Sequence, residues 1–200
     1  MKENYIIAAF RETVAQQFPE QSVELNRLLD EKLSRLRSMH LNASKEKQFH
    51  LESQILPGIA AYETLQTVMP KDEALQTVHG YVAEHAQTMR KTILKLLRVP
   101  GIYRLPPVLF SKLMPKFYGE TAGFAATEYQ TSGGVWRIDM TKCPYHDTCV
   151  EHGCPELCPC FCDSDDIAYD DLHPKLVWHR TKTLGRGNEC CDFCLKLAGK

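Results

Sequence analysis

The chain has 200 residues, 44% of them apolar and 24% charged, with a net charge of −1. That is the composition of a folded globular protein rather than a disordered chain. Neither half carries the basic excess that marks a nucleic-acid partner, and no apolar run approaches the roughly 20 residues of a membrane span.

In chain order, the first half reads as helices. Over 3–17, Ile6, Ile7, Phe10 and Val14 recur at helical spacing, and Pro19 closes the segment. The apolar patch at 5–10 is too short for a secretory signal, so a cytoplasmic protein is expected. A second helix carries Val23, Leu25, Leu28, Leu29, Leu33 and Leu36. A third runs from about Ser44 to Met69 along the stripe Leu51, Ile55, Ile59, Tyr62, Leu65, with Pro57-Gly58 expected to kink it. A fourth spans 71–98; on its apolar face His85 reads as a satisfied interior residue, and Arg90, Lys91, Lys95 and Arg98 read as a solvated basic face. Four prolines in 99–118 leave room only for short helical pieces.

After Gly119 the period changes from helical to alternating. Segments 124–130 and 135–140 form one expected hairpin around Thr131-Ser132-Gly133-Gly134. Segments 176–184 and 190–197 form a second around Gly185 to Asn188, with Arg180 and Lys182 on one strand face and Trp136 and Trp178 in the core on neighbouring strands. The expected fold is α+β: an N-terminal helical layer packed on an antiparallel sheet of about four strands, with a Cys-rich helical insertion between two hairpins. One unit over 1–200 is expected, mostly helical over 1–118 and sheet-forming over 119–200.

All nine cysteines lie between Cys143 and Cys194. Nine thiols cannot all pair within one chain, and in a cytosolic protein such density points to metal, catalysis or buried thiols. In GCPELCPCFCDSDD (153–166), Cys154, Cys158 and Cys162 recur every fourth residue, so a helix aligns them on one face; an extended segment would instead align Cys158, Cys160 and Cys162. Asp163, Asp165 and Asp166 follow at once. Zinc is the alternative cofactor, with Cys154, Cys158, Cys162 and Cys191 as the alternative ligands, although tetrahedral sites favour two close-spaced pairs. The pair Cys191 and Cys194 would point to opposite strand faces. The bland reading is that most of these thiols are small buried apolar groups.

Cys143-Pro144, GCPELCPCFCDSDD, His173-Pro174, RTKTLGRGNECCDF (180–193) and the kinked ILPGIAAYETLQ (55–66) resemble the L-2-amino-thiazoline-4-carboxylic acid hydrolase family. The closing hairpin also resembles ligand-binding domains of the 4-vinyl reductase type. The first resemblance implies hydrolysis of a cyclic isothiourea: water attacks C2 of the thiazoline, the C–S bond breaks, and N-carbamoyl-L-cysteine results. Such chemistry needs a base, a partner for the amidinium and a cation for the substrate carboxylate. By chemical type and position, Asp163 and Asp165 are candidates for base and amidinium partner. Arg180 or Lys182 is the candidate carboxylate ligand. Cys162 is a candidate nucleophile or proton donor to sulfur, with His173 as its partner. The expected partner is a small-molecule substrate, with no cofactor, no nucleic acid and no membrane span; homo-oligomerisation is left open. The rival reading is a non-enzymatic small-molecule-binding, zinc-binding or redox-sensing module, the last through a reversible Cys158–Cys162 disulfide.

Overall fold

The computed structural model describes residues 3–131 and 133–199; Ser132 of the first expected turn lies outside them. The protein is α+β. Helices α1 (Tyr5–Gln17), α2 (Ser22–Met39), α3 (Lys45–His50), α4 (Leu56–Leu65) and α5 (Lys71–Leu97) build the helical layer. Then come α6 (Pro106–Phe117), β1 (Ala125–Glu128), β2 (Val135–Lys142), α7 (Pro144–Glu151), α8 (Cys158–Tyr169), β3 (Leu176–His179) and β4 (Cys191–Leu197).

The helical layer forms because each helix buries one apolar stripe. Ile6, Phe10 and Val14 of α1, Leu25, Leu29, Leu33 and Leu36 of α2, and nearly all of α4 enclose one core, which also takes in Cys149, Cys154, Cys158, Cys160 and Phe161. The expected kink before Pro57 is a π-helical turn over Leu51–Ile55. There the Leu56 N–H bonds to the Leu51 carbonyl, and Pro57 has no N–H, so the carbonyls of Glu52 and Ser53 lose their α-helical donors. The Asn4 side-chain amide supplies both, at 3.1 and 2.8 Å, while its oxygen accepts from the N–H groups of Ile6 and Ile7 and caps α1. Gly58 in the next turn lets α8 come close: a Cβ there would lie 2.6 Å from Cζ of Phe161.

The four strands are antiparallel in the order β1-β2-β4-β3, so the two hairpins join through β2 and β4. Register places Trp136 and Trp178 on either side of Leu195, Ile138 opposite Phe193, and Met140 opposite Cys191. These residues share one face, which is the apolar face. Helix α8 stands between this face and the helical core. Its residues Cys158 and Phe161 look into the core, while Tyr169 packs on the tryptophan cluster together with Phe110 and Met114 of α6. Arg90 of α5 donates to the carbonyls of Ile167, Asp170 and Asp171, which closes the C-terminal end of α8 with a cation.

Several expectations change. The proline-rich stretch holds a twelve-residue helix, α6, because Pro106 and Pro107 sit in its first turn, where no N–H is required, and Pro115 comes only in its last. Strand β3 is only four residues long and ends at His179, and Leu184–Arg186 is a 3-10 turn. Residues Pro144–Glu151 form a helix. His85 is exposed and stacks on Tyr5 at 3.9 Å between ring centroids, so it is not an interior residue.

Candidate active site

A cavity of about 120 Å3 lies between the apolar sheet face and helices α6 and α8. A single water needs roughly 10–15 Å3, so the space suits a ligand the size of an amino acid. The walls are largely aromatic: Phe110, Phe124, Trp136, Phe161, Trp178 and Phe193. The polar groups on it are Gln54, Tyr118, Cys143, Tyr145, Cys162, Ser164, Asp165, Tyr169, Arg180 and Cys191. A mostly apolar hollow with a few convergent polar groups is the usual form of a small-molecule site.

Helix α8 delivers the acidic edge. Cys162, Asp165 and Tyr169 stand at i, i+3 and i+7, one stripe of the helix, and all three line the cavity. Asp165 keeps 35% of its side-chain surface free, and that surface borders the cavity. Burial pushes its carboxyl up to about 6, against the opposing pull of Arg180 and with a smaller push from Asp166.

Arg180 follows the last residue of β3, and its side chain is only 2% exposed. It donates to Asp165 at 3.3 Å, to the Cys162 carbonyl at 2.8 Å, and to Asp166. Asp166 also accepts from the Trp178 indole at 2.8 Å. The guanidinium carbon lies 5.3 Å from the centroid of Phe193. Two carboxylates therefore lean on one guanidinium, which leaves one negative charge uncompensated beside the aromatic walls.

The thiols differ by environment. Cys158 and Cys162, one helical turn apart, have sulfurs 4.0 Å apart. Donation from Cys158, together with the cations Arg180 and Arg186, holds the Cys162 thiol below its usual value, against burial and Asp165. Gly185 makes room for this pair: a Cβ there would lie 2.9 Å from the Cys158 sulfur and 3.1 Å from that of Cys162. Burial pushes Cys143 well up and Cys191 up to about 11.

A buried histidine backs the opposite wall. His50 donates through Nε2 to the Phe117 carbonyl at 2.7 Å, which leaves Nδ1 to accept from the Tyr145 hydroxyl at 3.2 Å. Burial holds the imidazole below its usual pKa, with the Phe117 carbonyl opposing. Gln54 reaches the cavity from the π-helical turn that Asn4 and Pro57 shape.

Of the residues singled out from sequence, Cys162, Asp165 and Arg180 line the cavity together. Asp163, Lys182 and His173 do not. Asp163 turns to the other flank of α8, where it accepts from Arg186 at 2.5 Å and His79 at 3.1 Å. Lys182 is half-buried and paired with Glu189, and it does not line the cavity with Arg180. His173 stacks on Tyr103 at 4.6 Å and lines a separate, more open hollow with Asp170, Asp171 and Leu176. Cys154, Cys158, Cys162 and Cys191 do not converge as a ligand set. Cys154 precedes α8, outside its helical turns, and the Cys191 sulfur accepts from the Leu184 N–H at 3.2 Å. Among the described residues, the group of three or more candidate ligands that does converge is His40, Glu151 and His152.

Sequence reasoning did not single out Gln54, Tyr118, Tyr145, Tyr169 or His50. Tyrosines in amphipathic segments look like core. The available signals were local: Gln54 lies three residues before Pro57, and Tyr145 follows Cys143-Pro144 directly.

Among curated proteins, none matches the chain. Residues 48–195 match the family model described as L-2-amino-thiazoline-4-carboxylic acid hydrolase, a span that takes in π-turn, α8, Arg180 and nearly all of β4. The chain belongs to the L-2-amino-thiazoline-4-carboxylic acid hydrolase family.

Proposed function

We propose that the cavity beside α8 is the active site of a hydrolase that opens a cyclic isothiourea, 2-amino-thiazoline-4-carboxylate, to N-carbamoyl-cysteine. The observation that carries this reading is the single uncompensated negative charge of the Asp165–Arg180–Asp166 group against aromatic walls. A planar protonated amidine matches both features, since it carries one positive charge and a face that stacks on aromatic rings.

In this reading Asp165 is the general base. A carboxyl near pKa 6 is largely ionised at neutral pH, yet basic enough to take a proton from water as its oxygen bonds to C2. Collapse of the tetrahedral intermediate breaks the C2–S bond. Asp165 returns the proton to the departing sulfur, which leaves a urea carbonyl and a free thiol. Arg180 has five N–H donors, three of which hold Asp165, Asp166 and the Cys162 carbonyl. The remaining donors, with the Gln54 amide and the Tyr118 hydroxyl, receive the substrate carboxylate. The chemistry as written uses no metal and no organic cofactor.

A second reading rests on the lowered Cys162 thiol. There the Cys162 sulfur attacks C2 as Asp165 takes its proton, the ring C2–S bond breaks with that proton passing to the departing sulfur, and water then attacks the amidino carbon, frees the Cys162 thiol and leaves the urea of the product. Mass spectrometry of the protein quenched during turnover separates the two: a covalent adduct on Cys162 supports the second, and its absence the first.

The test is product formation. The purified protein should convert 2-amino-thiazoline-4-carboxylate to N-carbamoyl-cysteine, seen by proton NMR, and Asp165→Asn should abolish it. Binding of the substrate without turnover would instead favour a non-enzymatic binding module.

A further inference from the structure

Away from the cavity, two helix ends meet. His40 is the residue that follows α2, and His152 the residue that follows α7. Their Nε2 atoms are 2.9 Å apart, with the rings inclined at 61°. A carboxylate oxygen of Glu151 joins them, and all three ligand atoms lie within 4.8 Å of one another. His40 is buried, His152 half-buried and Glu151 exposed, so the group is open to solvent on one side only.

We propose that His40, His152 and Glu151 bind one divalent transition-metal ion of the zinc class through the two Nε2 atoms and one carboxylate oxygen. Three observations support the assignment. The two nitrogens need to part by only a few tenths of an ångström to reach the spacing of two Zn–N bonds of about 2.0–2.1 Å in a tetrahedral site. Both imidazoles sit at helix C-termini, where the partial negative charge of the last carbonyls favours a cation. Their backbones are fixed: the His40 carbonyl accepts from the Gln48 side chain at 2.5 Å, and the His152 N–H donates to Thr148 at 3.0 Å.

Without an ion, one imidazole donates to the other. With an ion, all three side chains are used. Two imidazoles and one carboxylate suit zinc, cobalt or nickel better than calcium or magnesium, which take oxygen ligands. The ion would fasten the end of α2 to α7, the helix that carries Tyr145 to the cavity wall. It takes no part in the ring-opening step, so it stands or falls independently of that reaction.

The test uses the reduced, full-length protein stripped of metal and titrated with Co2+, then Zn2+. Expected are one Co2+ per chain, a visible spectrum of nitrogen and oxygen ligation without a thiolate charge-transfer band, and displacement by Zn2+. Zn2+ at about a hundredfold excess over Kd should raise Tm by about 5–10 °C. His152→Gln should weaken binding by about 100-fold or more, and Glu151→Gln by about tenfold. Glu151 is exposed, so its variant keeps the test intact should His152→Gln fail to fold. Absence of binding, a thiolate band in the cobalt spectrum, or an affinity that neither variant moves would overturn the assignment.

Discussion

The Asp165 carboxylate stands 3.3 Å from the guanidinium of Arg180, whose side chain is sealed from solvent, and both groups border the cavity. The cation lowers the carboxyl pKa and burial raises it; burial wins, and the group settles at about 6. A folded-state pKa above the unfolded value of 3.8 means that ionising Asp165 works against the fold. The stabilisation of its neutral form is complete below the unfolded pKa and is lost as pH rises through about 6. Asp165→Asn should therefore melt a few degrees above the wild type at pH 7.5, and the gap should close by pH 4. Melting curves at the two pH values check this, and a variant that is less stable at both would contradict it.

Arg180 donates to three acceptors of this wall, and its removal takes the guanidinium away from two carboxylates. Arg180→Met should cost about 3 kcal/mol of stability. Arg180→Lys should recover only part of that, because an ammonium is a point charge and cannot reach all three acceptors in one geometry. Urea unfolding with an unchanged m-value reads both numbers.

Asn4 joins the start of α1 to the π-turn that presents Gln54. Asn4→Ala removes a helix cap and leaves two carbonyls without donors, so a loss of about 2–4 kcal/mol is expected. Asn4→Asp keeps the cap but not the donors and should lose about half as much. If Gln54 receives the substrate carboxylate, Asn4→Asp also raises KM more than it lowers kcat. Steady-state kinetics beside the unfolding curves separates the two effects.

Cys162 should be the thiol that alkylates first among those on the cavity wall. Its thiolate is favoured by Cys158 and then Arg180, whereas burial disfavours the thiolates of Cys143 and Cys191. Peptide mapping after brief iodoacetamide treatment at pH 7 reads the order, and Arg180→Lys should leave it unchanged.

Much of this site could be read from the chain. The change from helical to alternating period placed the sheet, and four-residue spacing brought Cys158 and Cys162 together. Arg180 was a candidate by type and position, as a cation for the substrate carboxylate, and the structure pairs it with Asp165 and Asp166 of α8. What escaped is what only packing decides. Asp163 and Asp165 are two residues apart and chemically alike. A helix turns about 200° over two residues, so one faces the cavity and the other faces His79 and Arg186. His85 lies on an apolar stripe, yet that stripe runs past the edge of the core, and the ring covers Tyr5 in solvent. Apart from Tyr145, which follows Cys143-Pro144, the tyrosines of the cavity carry no local pattern that separates a core ring from a wall.

The most direct measurement compares kcat/KM for 2-amino-thiazoline-4-carboxylate in Asp165→Asn and Asp163→Asn. A base on the cavity wall predicts a fall of at least about 100-fold for Asp165→Asn. Asp163→Asn, on the outer flank of α8, should stay within a few-fold of the wild type. Equal losses in the two variants, or full activity in Asp165→Asn, would contradict the assignment of the cavity as the active site.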